Sequence, residues 1–106
     1  MANVLVQAPR LARRGEVVEI KAMIQHPMES GFRPGSDGKP VPRNIIERFT
    51  ASWNGTEIVR IDFSPAIAAN PFVSFFALAD ESGTVLLRWQ GDAGFVHEER
   101  IAIAVA

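Results

Sequence analysis

The chain has 106 residues, no cysteine, and 11 basic against 12 acidic residues. That length suits one small domain, 1–106, and the 47 % apolar content excludes a disordered chain. Near-neutral charge argues against nucleic acid and membrane as partners, and the lack of thiols excludes disulfides, thiolate catalysis and Cys-bound metals.

From the N-terminus, "NVLVQAP" predicts a short first strand. The opening "MANVLVQAPRLARRGE" has an apolar run too short for a signal peptide, with its basic residues after that run. "GEVVEIKAMIQ" alternates: Val18, Ile20, Ala22 and Ile24 share one face, Glu19 and Lys21 the other. That period of two marks a half-buried antiparallel strand.

Residues 25 to 42, "QHPMESGFRPGSDGKPVP", break the pattern. Asp37-Gly38 signals a tight turn, and Pro40 and Pro42 favour extended backbone. No glycine here opens a helix after a strand, so a phosphate cradle is not expected. Long loops on small sandwiches are usually functional or mobile.

"IIERFTASWNGTEIVRIDF" reads as a hairpin turning at Asn54-Gly55. Phe49, Ala51 and Trp53 share a face that Val59, Ile61 and Phe63 continue. "SPAIAANP" is a crossover loop with room for one helical turn. "FVSFFALADESGTVLLRWQ" reads as a second hairpin around Glu81-Ser82-Gly83, with Val85, Leu87 and Trp89 on one face. "GDAG" then turns the chain into "FVHEERIAIAV", where Phe95, Ile101, Ile103 and Val105 share parity. About seven strands separated by turns and no long helix predict an all-β, immunoglobulin-like antiparallel β-sandwich.

His26 is the first site candidate. As a general base it needs an orienting partner and a nucleophile, and Glu29 and Ser30 are near only in sequence. A metal would need three or four ligands; His26, His97, Glu29 and Asp37 lack any ligand spacing, so no metal or other cofactor is expected. The carboxylates Asp62, Asp80, Glu81, Asp92, Glu98 and Glu99 read as solvated surface rather than a glycosidase pair. "FVSFF" is apolar on both parities. A strand apolar on both faces needs cover on both, which points to Phe75 and Phe76 in a subunit interface. These residues favour a binding or carrier subunit. A stand-alone ligand-binding sandwich and a hydrolase using His26 with Glu29 are the rival readings.

"HPMESG", "DGKPVPR" and "PAIAANP", in this order with "SWNGTEI" and "ESGTVLLRW", resemble the SoxZ family over residues 8 to 100. The resemblance implies an immunoglobulin-like subunit without catalytic residues, paired in a heterodimer with SoxY. SoxY carries thiosulfate-derived sulfur on a cysteine of its flexible C-terminal arm. The carrier meets Sox enzymes such as SoxAX, SoxB and SoxCD in the periplasm, and this subunit is co-exported with its signal-bearing partner. His26, Pro27, Met28, Glu29, Ser30 and Gly31 match the family's loop; of these His26, Pro27, Met28, Glu29 and Gly31, with Asn70, Pro71, Phe75 and Phe76, are the expected partner-binding residues.

Overall fold

The computed structural model of the chain describes residues 3–106. Eight strands follow in order: β1 (Val4–Gln7), β2 (Leu11–Ala12), β3 (Glu16–Ile24), β4 (Ile46–Trp53), β5 (Thr56–Asp62), β6 (Phe72–Ala79), β7 (Gly83–Gly91) and β8 (Val96–Val105). They form a three-stranded sheet, β1-β3-β6, and a five-stranded sheet, β2-β8-β7-β4-β5. The expected immunoglobulin-like sandwich is present. One pairing is parallel, the two-residue contact of β2 with β8, too short to leave a periodic signal in the sequence.

The alternating residues build the core. Val18, Ile20, Ala22 and Ile24 of β3 are buried, as are Val73, Phe75, Ala77 and Ala79 of β6. They face Phe49, Ala51 and Trp53 of β4, Val85, Leu87 and Trp89 of β7, and Ile101 and Ile103 of β8. Phe49 bridges the sheets: its ring centroid lies 6.0 Å from Phe75 and 5.0 Å from Trp89. The indole N–H of Trp89 is buried without a partner among the described residues; we have no physical account of it.

The Asn54-Gly55 turn forms as the sequence predicts, with positive φ at both residues, 49° and 86°, the signature of the turn that matches strand twist. The second expected hairpin does not form. β6 pairs with β3, and β7 lies between β8 and β4 in the other sheet, so Asp80–Ser82 is a sheet-to-sheet crossing. Side chains hold that crossing open. Trp53 Nε1 donates to the Glu81 carbonyl at 3.0 Å, Asn54 Nδ2 to the Ser82 carbonyl at 3.1 Å, and the Thr84 amide to Asn54 Oδ1 at 3.0 Å. Gly83 lies so close to the Asn54 carboxamide that a Cβ there would overlap it.

"SPAIAANP" makes a bend with no helix. The Ile67 amide bonds the Ser64 carbonyl at 3.1 Å and the Ala66 amide the Ser64 hydroxyl at 3.2 Å. "GDAG" forms the expected turn between β7 and β8, with Ala93 and Gly94 both at positive φ, 58° and 73°.

Candidate functional site

The segment between β3 and β4 is a finger rather than a loose loop. Glu29 and Asn44 exchange backbone hydrogen bonds of 2.8 Å each way, and Pro34 opposes Pro40 in a second bridge. The tip turns at Asp37-Gly38, where Asp37 Oδ1 accepts from the Lys39 amide at 3.0 Å and Gly38 takes φ 80°. The molecule measures 58 × 22 × 19 Å. Strands of nine or ten residues span only about 30 Å, so the connecting segments extend the molecule well beyond its strands. Phe32 lies on the finger, 83 % exposed.

The base of the finger is a knot of four chain segments, around His26, Arg43–Ile46, Asn70 and Asp92–Phe95. The His26 amide donates to Asn70 Oδ1 at 2.9 Å, and the Asn70 amide donates to the His26 carbonyl at 2.8 Å. Asn70 sits at φ 55°, a region asparagine tolerates better than most residues. The two stretches that carry the sequence motifs, "HPM" and "AANP", therefore bind each other. The His26 ring is buried, 4 % exposed, with its edge toward the Phe95 ring at a centroid distance of 5.0 Å. Its Nδ1 accepts from the Met28 amide at 3.0 Å, which fixes a neutral imidazole with the proton on Nε2. Burial lowers the His26 pKa, and nearby Asp92 opposes that in part.

Met28 is buried at φ 50°, and its sulfur accepts from the Ile46 amide at 3.2 Å. Glu29 is forked to Arg33 Nε at 3.0 and 3.1 Å. On the far side Asp92 takes Arg43 in a two-point contact of 2.9 and 2.8 Å and the Ile45 amide at 3.1 Å. The Arg43 guanidinium, with the Ile45 amide, holds the Asp92 carboxyl below its ordinary value. At Gly31, φ 90°, an added Cβ would press on Arg43 Cβ at 3.1 Å.

This geometry divides the nine expected contact residues. His26 and Met28 point into the knot, and Phe75, 8 % exposed, into the core. Inward parity and the loop bonds cover these three within the chain itself. Glu29 is half-buried against Arg33, Gly31 lies at the base of the finger, and Pro27 and Asn70 are exposed beside it. Pro71 is buried, and its carbonyl accepts from the Ile24 amide at 3.2 Å. Phe76 points out of the sandwich, 67 % exposed. His26 and Glu29 are not brought together as a base and its orienter, since each is committed to another group. Among the described residues no three His, Asp or Glu side chains gather as a metal site.

The surface that residue-by-residue reading missed is the outer face of the β1-β3-β6 sheet. Phe76 shares it with Phe72, Leu78, Val17 and Leu5, all exposed. Register sets Leu5 opposite Met23, Met23 opposite Phe72, and Val17 opposite Leu78. Two apolar clusters thus flank a polar strip of Glu19, Lys21 and Ser74, in which Ser74 Oγ donates to Glu19 at 2.9 Å. A depression of about 430 Å³ opens beside Leu5, Met23 and Phe72. The signal was the strand parity of β6, which separates Phe75 from Phe76.

A covered motif knot and an exposed apolar sheet face define a β-sandwich subunit of the kind that works within a complex. Residues 6–102 match the family described as sulphur oxidation protein SoxZ. The chain belongs to that family, and so to the subunits of the sulfur-oxidation complex. A comparison with curated proteins finds no match. Among solved structures, a variant of the superoxide reductase (neelaredoxin) from Ignicoccus hospitalis is similar at TM-score 0.72 and 15 % identity, covering 97 % of this chain and 79 % of that one. A putative superoxide reductase from Thermotoga maritima gives 0.67 and 17 %, over 97 % and 85 %. The CARDB domain of a Pyrococcus furiosus protein, in complex with di-metal ions, gives 0.58 and 11 %, over 100 % and 94 %. At these identities the likeness is one of fold. No helix among the described residues is long and apolar enough to cross a membrane.

Proposed function

We propose that this chain is the non-catalytic subunit of a SoxYZ-type sulfur carrier. It pairs with a SoxY-type chain whose C-terminal-arm cysteine bears the sulfur during thiosulfate oxidation. It helps present that arm to SoxAX, SoxB and SoxCD. The pair works in the periplasm, reached by export on the partner's signal.

The observation that carries this reading is the pairing of a missing thiol with an exposed apolar sheet face. A chain without cysteine cannot hold the covalent intermediate itself. A sheet exposing Phe72, Phe76, Leu78, Val17 and Leu5 together is an unfinished surface. The knot at His26 and Asn70 supports the same reading, because it fixes the finger at one angle to the sandwich. A rigid finger presents a constant surface to whatever visits the carrier.

The test is co-expression with a SoxY-type chain, then native mass measurement before and after thiosulfate and the Sox enzymes are supplied. A one-to-one complex that gains sulfur mass on the partner alone is the expected result. A monomer that ignores the partner would overturn the reading in favour of a stand-alone ligand-binding sandwich.

A further inference from the structure

Sheet edges offer unpaired backbone N–H and C=O groups, and proteins usually blunt them with brevity, charge, proline or a bulge. Three of the four edges here are blunted. β1 has four residues and β2 two. β5 carries Glu57, Arg60 and Asp62, and its register with β4 shifts at Ala51/Ser52. β6 has none of these devices. It runs eight residues, Phe72–Ala79, without a charge or proline inside it. Its register with β3 is unbroken from Met23↔Phe72 to Glu16↔Ala79. The carbonyls at its two ends, Pro71 and Ala79, are bonded from the β3 side, by the Ile24 and Gly15 amides. Toward the open side, no other segment among the described residues bonds its backbone.

Area narrows the choice of occupant. On the outer face of β1-β3-β6, β3 and β6 present eight paired residues and β1 only four, about 320 Å² in projection. Side-chain relief raises the accessible area above that figure, but a stable partner footprint needs roughly 800 Å² on each side, so an interface built on this face gains area by running past one edge. Only β6 continues the apolar face to an edge that is long and unblunted, through Phe72, Phe76 and Leu78.

Resting on the carrier-subunit reading above, we propose that the SoxY-type partner adds a β-strand to the free edge of β6, so that one continuous sheet crosses the subunit boundary. Main-chain hydrogen bonds give this mode its affinity, and alternate side chains its specificity. The partner strand is then one with apolar residues at alternate positions, to continue the outer face beside Phe72 and Phe76. It is also free of charge where it meets Ser74.

The test compares amide hydrogen exchange of the wild-type chain alone and in its complex with the SoxY-type chain. Exchange of alternate amides in 72–79 should slow by roughly tenfold or more, while finger amides 32–41 change less. Ser74→Lys places an ammonium on the exposed edge strand and should weaken pairing by about tenfold or more, a larger effect than the small loss in the free chain from the Ser74–Glu19 bond and the facing Lys21. The exchange measurement needs no variant, so it decides even if that variant fails to fold. A complex that forms with 72–79 exchanging as in the free chain would sink the strand-addition proposal and leave the carrier reading intact. Absence of any complex would remove both. Slow exchange at 72–79 in the free chain that depends on its own concentration would assign the edge to a second copy, and so also overturn the proposal.

Discussion

Asn70 completes the backbone of His26 from 44 residues away: its side-chain oxygen takes the His26 N–H, and its own N–H meets the His26 carbonyl. One asparagine thus does for His26 what a neighbouring strand does for a sheet residue. Asn70→Ala removes the acceptor and places an alanine at φ 55°. The expected loss is about 1–3 kcal/mol, from an unpaired amide and a strained backbone. Asn70→Gly, which relieves the strain but not the lost bond, should lose less. Urea unfolding of both variants checks this order, and equal losses would contradict it.

The buried imidazole of His26 makes stability depend on pH in a defined direction. Its folded pKa is lowered from 6.5 by burial. Above pH 6.5 the ring is neutral in both states and carries no penalty. As pH falls below 6.5 the unfolded chain binds a proton that the folded chain does not, and stability declines down to the folded pKa. Protonation would also remove the Nδ1 acceptor used by the Met28 amide. The wild type should therefore lose more stability than His26→Asn between pH 7.5 and about 5. Parallel urea midpoints across that range would refute it.

Adjacent phenylalanines should behave oppositely. Phe75→Ala opens a cavity between Phe49 and β3 and should cost about 3–5 kcal/mol. Phe76→Glu replaces an exposed ring and should leave the isolated chain's melting nearly unchanged while abolishing pairing with the SoxY-type chain. Thermal melts combined with a pull-down separate the two effects.

Gly91 lies where β7 passes β4 at a register shift, and an added Cβ would overlap the Ile45 carbonyl and sit 2.8 Å from Ile46 Cα. Both obstacles are backbone, so neither can swing away. Gly91→Ala should cost more than about 3 kcal/mol or prevent folding. Gly94→Ala, with nothing within 4 Å, meets only the strain of φ 73° and should cost about 1 kcal/mol. Comparable losses for the two would show that contact is not the deciding cause.

Local chemistry was the legible part of this fold. The alternation of Val18 to Ile24, the Asn54-Gly55 turn and the Asp37-Gly38 tip were all readable because each is set within a few residues. What failed was longer in range. A pattern of two apolar runs around Glu81-Ser82-Gly83 is the same whether the strands pair or part. The difference lies in β3, which takes β6 from roughly 50 residues upstream. Likewise "HPM" and "AANP" could be noticed as unusual, but their mutual bonding spans the whole β3–β6 interval. Phe75 and Phe76 show a subtler limit. Parity alone divides them: Phe75 has its cover within the sandwich, and Phe76 stands on the open face.

The β2–β8 pairing sets Leu11 beside Ala104 and Ala12 beside Val105, and the Ala106 amide bonds the Ala12 carbonyl. Such a contact has nearly the highest sequence separation the chain permits. Topologies rich in contacts of this kind fold slowly, since the entropy of loop closure is lost before pairing offsets it. On the ribosome, β8 emerges after the other strands described, so the five-stranded sheet cannot close before β8 is made. Throughout that interval the apolar edge of β6 can already stand formed on β3. Birth order therefore leaves the unblunted edge of β6 waiting on β8, a period in which that edge is open to wrong pairing.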